Sequence, residues 1–404
     1  MNVIVFIFLG HTFIPAGRLI FNDMGKESYS DFAYGRQYLK RPEAVAIDPI
    51  GLPLKSTPFR TKQNFPVFSA IRDAGPDRWG RDLLEKRFGR SLNEMEYILG
   101  VGPHRVGALA FGPDTSRPMT LTPEGFAASS TLYFDLSLCL KATEDALADL
   151  NSEELKLFLQ YGASMGGARP KAAVYWKEKP CLAKFSTSLD TRNEPALEFA
   201  TMKLAQRVLL NVPDIELIKV SNRDVYIIDR FDRRIVNGQE LLLPFLSGLS
   251  VTELHEADYS ARSYAGLVQA ITKRSSDVAR DKNELYRRMI FNILVNNDDD
   301  HLRNHGFVSD GKGTWKLAPL YDVVPRDQMT NTFRLALAVG DFGKEASKRN
   351  ALSAAPIFDI STDSAEAIWD ELENIVIENW QNEFDNAGLS SGTIDRFRHS
   401  IGSK

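Results

Sequence analysis

The sequence predicts an α+β fold in two lobes, the first rich in strands and the second mostly helical. Three observations support this. Short apolar runs separated by Gly, Pro and Asp fill the chain to about residue 235. Helical 3.6-residue periodicity dominates from about Ser250 onward. A polar stretch twice interrupted by proline, Gly112-Pro113-Asp114-Thr115-Ser116-Arg117-Pro118, sets off an N-terminal part. The expected parts are an N-terminal subdomain at 1–115, a strand-rich lobe at 116–235 and an all-helical lobe at 236–404.

The elements follow in order. Val3 to Leu9 reads as a buried strand, with a turn at Gly10-His11 and a returning strand from Ile14 to Phe21 broken at Pro15-Ala16-Gly17. Val67 to Ile71 and Trp79 to Phe88 read as helices joined around Gly75-Pro76, and Val106 to Phe111 as a closing strand. A helical stretch is expected to end near Tyr161. Lys171 to Trp176 and Cys181 to Phe185 read as adjacent strands, Pro195 to Leu210 as a helix, and Ile215 to Val220 and Val225 to Asp229 as further strands. Leu285, Met289 and Ile293 recur four residues apart, as do Tyr286, Ile290 and Leu294. Ile368, Leu372, Ile375, Val376 and Trp380 mark another amphipathic helix.

Composition excludes several classes. The 404 residues carry 49 basic and 53 acidic side chains, a net charge of −4, which argues against electrostatic capture of nucleic acid by the whole chain. The two cysteines, Cys139 and Cys181, form no CxxC pair, so neither a Cys-based zinc site nor a disulfide scaffold is expected. The apolar run Val3–Leu9 is far shorter than the ~20 residues of a membrane span. No Lys or Arg precedes Arg18, so a signal peptide is not expected either. The expected location is the reducing cytoplasm, without membrane association.

Five features carry chemistry. Ser164 to Lys171 (SMGGARPK) is a small-residue loop entering a strand, and glycines let backbone N–H groups approach a phosphate. Lys184 lies in the middle of an apolar strand, where a lysine has to face a cleft or pair with an acid. Glu198 on the following helix is placed to be that acid. Asp229-Arg230-Phe231 ends a strand where the chain crosses between lobes, a position that can present backbone groups to an adenine ring. Asn296 to Asn304 holds three adjacent aspartates, and Asp299 and Asn304 have the D-x-x-x-x-N spacing of a kinase catalytic loop. Asp322 is expected to close an apolar strand about twenty residues later, where a kinase keeps a magnesium ligand. His301 and His305 offer an alternative metal pair at i, i+4, without the Glu of an HExxH motif. Taken alone, the small-residue loop and the Asp229–Phe231 crossover read as ordinary turns and Lys184 as a snorkelling edge-strand lysine, whereas the Asp-rich loop already favours the catalytic spacing. Their order is the stronger signal, since a kinase requires these roles in this sequence.

At these residues the chain resembles the HipA family, the kinase toxins of bacterial toxin–antitoxin pairs. The resemblance rests on SMGGARPK (Ser164 to Lys171), LNVPD (Leu210 to Asp214), DRFDRR (Asp229 to Arg234), DDHLRN (Asp299 to Asn304) and PLYD (Pro319 to Asp322). Val67 to Leu84 and Val101 to Phe111 match the family's N-terminal region. The resemblance implies a two-lobed protein-kinase-like fold and a serine/threonine kinase using ATP and Mg²⁺. It implies Asp299 as base, Asn304 and Asp322 as magnesium ligands, Lys184 on phosphates and Glu198 orienting Lys184. It further implies ATP contacts at Gly166, Gly167, Ala168, Arg169, Lys171, Asp229, Arg230, Phe231, His301, Arg303 and Tyr321, and autophosphorylation at Ser164 as a silencing step. The implied partners are a small DNA-binding, HipB-like antitoxin, which would be the only link to nucleic acid, and a protein substrate such as an aminoacyl-tRNA synthetase.

Two departures stand out. Asp300 occupies a place the family usually gives to glycine, and its charge is expected to raise the pKa of Asp299 or to recruit more cation. Pro170 removes one backbone donor from the phosphate loop. The competing expectations are a nucleotide-binding, antitoxin-binding co-repressor without efficient transfer, and a metal-dependent hydrolase built on the Asp-rich loop.

Overall fold

Strand β1 (Asn2–Leu9) is interior to a five-stranded antiparallel sheet, between β2 (Thr12–Asn22) and β5 (Leu109–Gly112), with β3 (Tyr29–Tyr34) and β4 (Phe59–Arg60) beyond β2. The interior place explains its unbroken apolar run: Val3, Val5, Phe6, Ile7 and Leu9 are all buried, so the strand does not alternate. The expected break at Pro15-Ala16-Gly17 is a bulge. Val5 pairs with Gly17 and Phe6 with Pro15, which leaves Ala16 as the extra residue and seats a proline where a ladder bond is not needed.

A computed structural model provides the coordinates and describes residues 1–128, 135–148, 152, 169–187, 190–327 and 333–401. The chain divides into two units. One comprises Met1–Ser188, Asp229–Leu246 and Val308–Thr314, and the other Leu189–Ile228, Ser247–Phe307 and Trp315–Lys404.

In the first unit, the expected helices appear at Ser69–Arg72 and Arg78–Phe88. A short hairpin, β6 (Met119–Thr122) and β7 (Gly125–Ala128), follows the Pro-rich boundary and was not expected. The next helix, Leu136–Leu147, is capped by Asp135, whose carboxylate accepts the Leu138 N–H at 2.8 Å. The stretch between it and Arg169, where a helix was expected to end near Tyr161, lies almost wholly outside the described residues. Strands β8 (Lys171–Trp176) and β9 (Lys179–Phe185) pair antiparallel, as expected. Their tight turn needs positive φ at both Lys177 (46°) and Glu178 (63°), which matches the twist of the flanking strands.

The second unit holds the hairpin of β10 (Ile215–Val220) and β11 (Arg223–Asp229), up to Ile228, together with most of the helices. The Glu194–Arg207 helix starts at Asn193, which accepts the Ala196 N–H and donates to Asp224 on β11 at 2.6 Å. This helix packs along the 25-residue Thr362–Asn386 helix, whose buried face runs through Ala365, Trp369, Leu372, Val376 and Trp380. The Val278–Leu294 helix buries both expected rows, Leu285, Met289 and Ile293 with Tyr286, Ile290 and Leu294. Beyond residue 236 the chain is mainly helical and also carries short strands, including Gly306–Ser309 and Trp315–Leu317.

Candidate active site

The Val278–Leu294 helix ends in a Schellman motif. Asn296 adopts φ +62°, its N–H donates to Ile293 O, and the Asn297 N–H reaches back to Asn292 O at 2.9 Å. Asparagine tolerates the left-handed position better than most residues, so the helix stops there and releases the chain into Asp298-Asp299-Asp300. A 3-10 turn at Leu302–Asn304 follows. Within it, the His301 N–H and the Asn304 side-chain amide both donate to the Asp299 carbonyl, each at 2.8 Å.

The three aspartates point to three different partners, which relieves their mutual repulsion. Asp298 pairs with Arg326 at 3.0 Å. Asp300 is buried: one oxygen accepts the Tyr264 hydroxyl and the other lies 2.6 Å from His305 Nε2. Asp299 alone turns outward, its side chain 64% exposed and 3.9 Å from His301 Nε2. Although much of its surface meets solvent, protein atoms crowd the carboxylate enough that burial leads in raising its pKa. His301 opposes that shift, Asp322 adds to it, Arg326 opposes it and Asp298 adds to it. The Asp300 carboxylate, expected to raise that pKa or to recruit more cation, points into the core against Tyr264 and His305.

The segment bearing Asp322 is fastened to this loop. Asn296 Nδ2 donates to Arg326 O at 2.7 Å and the Arg326 N–H returns to Asn296 O at 3.0 Å. The Tyr321 hydroxyl donates to Arg303 O at 2.9 Å. The strand expected to be closed by Asp322 ends earlier, at Leu317, where the Leu317 N–H is taken by Asp281. Asp322 follows in irregular chain at φ +63°, a conformation that costs a non-glycine residue energy and that aims its side chain independently of any strand. Glu198 is buried on its helix. Burial lifts the Tyr226 hydroxyl well above its ordinary pKa, and the charges of Glu198 and Asp322 lift it further, so both carboxylates lie within electrostatic reach of one phenol. Asp299, Asn304, Asp322 and Glu198 are thus gathered within the second unit.

Carboxylate and amide oxygens are the hard donors that Mg²⁺ takes. Asn304 commits its NH₂ to Asp299, which leaves Oδ1 as the atom able to face a cation, so the donor set of Asn304 and Asp322 fits magnesium. The alternative histidine pair does not form, because His305 is held in the core by Asp300. Among the described residues no group of three or more His, Cys, Asp or Glu could hold a metal. Arg303 pairs with Glu256.

The first unit carries the expected cations and the strand end. Lys171 on β8 and Lys184 on β9 are direct cross-strand partners, and both are buried, at 8% exposure each. This places two like charges opposite each other on one ladder. Pro170 has no N–H to donate, and its carbonyl accepts the Phe185 N–H at 3.1 Å. The Asp229 carboxylate is engaged by Lys179 at 2.8 Å and by the Cys181 thiol. The Arg230 guanidinium is turned inward to Asp232 and to the carbonyls of His104 and Arg105, and its N–H donates to Pro180 O at 3.0 Å. Arg233 and the Gly107 N–H close the same cluster on Asp232. Half-buried Phe231 lies 6.0 Å from the Phe245 ring. Arg169 is half-buried, while Ser164, Gly166, Gly167 and Ala168 lie outside the described residues.

Comparison with known proteins decides the family. The model of the HipA-like C-terminal domain matches residues 163–380, more than half of the chain. The chain belongs to the HipA family. This HipA-family chain is 25% identical over 384 residues to the protein named "Putative kinase Y4mE" from Sinorhizobium fredii, covering 85% of this chain and 87% of that protein. It is 28% identical over 295 residues to the serine/threonine-protein kinase toxin HipA of Shewanella oneidensis, covering 66% of this chain and 65% of that protein. A chain in the solved complex of Shewanella oneidensis MR-1 HipA, HipB and operator DNA matches with a TM-score of 0.70 and 17% identity, over 98% of this chain and 94% of that one. At that identity the likeness is one of fold, and the α+β HipA fold expected from the sequence is borne out. Among the described residues of this HipA-family chain, no helix is long and apolar enough to cross a membrane.

Proposed function

We propose that this chain is a cytoplasmic protein serine/threonine kinase that uses ATP and Mg²⁺ and acts as a growth-arresting toxin. The observation that supports it most is the outward Asp299, its carbonyl bonded by Asn304 and its carboxyl raised in pKa beside Asp322. A carboxylate poised in this way suits a general base. It takes the proton of an acceptor hydroxyl while that oxygen bonds to the γ-phosphorus. The bond from the γ-phosphorus to the β–γ bridging oxygen breaks, and ADP leaves. Magnesium held by Asn304 and Asp322 would supply neutralising charge on the phosphates. Lys184 and Lys171 supply fixed positive charge, Glu198 orients Lys184, and the backbone of Asp229 to Phe231 meets the adenine. The loop from Gly166 to Lys171 covers the phosphates, and Ser164 is the site of self-modification.

The three parts at 1–115, 116–235 and 236–404 are read as an accessory subdomain, a nucleotide lobe and a catalytic lobe. The partner is a small DNA-binding antitoxin, consistent with the HipB and operator DNA in the related complex. The substrate is a protein, for which an aminoacyl-tRNA synthetase is the class to screen first. Incubation with γ-labelled ATP and Mg²⁺, followed by mass spectrometry, tests the reading. Phosphate on Ser164 and on an added protein acceptor is expected. Tight nucleotide binding without any transfer would favour the co-repressor reading instead.

A further inference from the structure

Asp300 is buried at 1% exposure, one residue away from the outward-facing Asp299. Its carboxylate joins two separate pieces of chain: Tyr264, the first residue of the Tyr264–Arg274 helix, and His305, at the far end of the catalytic turn. Both are held independently. The Tyr264 N–H donates to Ala338 O at 2.9 Å, and the His305 carbonyl accepts the Gly248 N–H at 2.6 Å. The Tyr264 hydroxyl also accepts from Asn292, which in turn accepts from Asn297 at the start of the loop. Charged groups facing the turn and the clamp from neighbouring chain include Arg326, on Asp298, Glu256, on Arg303, Asp322, near Asp299, and Arg288, near Tyr264.

We propose that Asp300 is the positioning residue of the catalytic loop, a buried clamp between Tyr264 and His305 that fixes where Asp299 and Asn304 face. The inference rests on the reading of Asp299 as base. It accounts for a carboxylate at a place where the resemblance leads one to expect glycine. Asp300 directly follows Asp299, and His305 directly follows Asn304. One carboxylate held at both ends therefore sets both functional side chains at once. A glycine there would leave the turn without its tie to Tyr264 and His305. Alanine would take away the acceptor of the Tyr264 O–H and the partner of His305 Nε2 in the core. Asparagine keeps the shape, can accept from one partner and can donate to the other.

The test compares Asp300→Ala and Asp300→Asn in the full chain, by hydrogen exchange and by kinetics. In Asp300→Ala, the amides of His301 and Asn304 should exchange at least about tenfold faster while those of the Val278–Leu294 helix stay unchanged. Its kcat should fall at least about tenfold with Mg-ATP affinity within about twofold of wild type. Asp300→Asn should stay within about threefold of wild type in both readouts. If Asp300→Ala does not fold, Tyr264→Phe removes one arm of the clamp and reads the same two quantities. Unchanged exchange at His301 and Asn304, or a kcat loss matched by an equal loss of Mg-ATP affinity, would overturn the proposal. If wild type transfers no phosphate at all, the reading of Asp299 fails, while faster exchange in Asp300→Ala would still support the clamp.

Discussion

The side-chain amide of Asn304 donates to the main-chain carbonyl of Asp299 at 2.8 Å, so one hydrogen bond joins the two ends of the D-x-x-x-x-N spacing. That bond also turns the oxygen of Asn304 away from the loop backbone. Asn304→Ala removes the tie and, on the proposed reading, a magnesium ligand. Its transfer rate should fall at least about a hundredfold, with a stability loss near 1 kcal/mol. Steady-state kinetics and a denaturant titration of the same sample check the two figures.

Asp322→Ala should weaken binding of Mg-ATP more than binding of ATP without metal. A carboxylate that holds the ion has no direct claim on the base or ribose. Calorimetry with and without Mg²⁺ separates the terms, and equal losses in both conditions would make Asp322 structural.

The Asp232 cluster makes a pH-dependent contribution to stability. Burial alone would push the Asp232 carboxyl up, but Arg230 and Arg233 hold it at about 2. A carboxyl whose pKa is depressed in the folded state stabilises fully above its unfolded value of about 4 and loses that contribution as pH falls toward the folded one. Wild type should therefore lose roughly 2–3 kcal/mol relative to Asp232→Asn between pH 5 and pH 2. Urea midpoints of the two proteins across that range should converge toward acid. A constant gap would show that the charge of Asp232 does not stabilise the fold.

Gly248 has no room for a side chain. A Cβ there would meet the Leu302 carbonyl of the Leu302–Asn304 turn, and the Leu267 side chain at 2.9 Å. The carbonyl is backbone and cannot swing away, so Gly248→Ala should cost about 2–3 kcal/mol and slow transfer as well. Thermal melting beside the kinetic assay tests this. A stable, fully active variant would mean that the turn tolerates displacement.

The parts of the fold legible in the sequence are those written in local periodicity. Leu285, Met289 and Ile293 announced their helix because burial on one face repeats with the helical turn, and Cys181 to Phe185 announced β9 by an apolar run with one lysine. The β6–β7 hairpin was missed, although Thr122-Pro123-Glu124-Gly125 is a turn signal, because its strands are only four residues long. The direction of Asp300 was not legible. In irregular chain no period assigns a residue to a face, and its partner Tyr264 lies 36 residues away. The roles of Arg326 and Asn296 as ties between the Asp299 and Asp322 segments were hidden for the same reason, since they depend on a contact across 30 residues. Asp322 was expected to close a strand, because the apolar run before it continues past Leu317, where the strand ends.

The central claim is that Asp299 is the base of a phosphoryl transfer, and Asp299→Asn tests it most directly. The measurement is the single-turnover rate of γ-phosphate transfer from Mg-ATP, taken on samples whose melting and ATP binding match wild type. The account predicts transfer by wild type and a loss of well over tenfold in the variant, with Mg-ATP still bound. Transfer at the wild-type rate by a folded Asp299→Asn protein would contradict it.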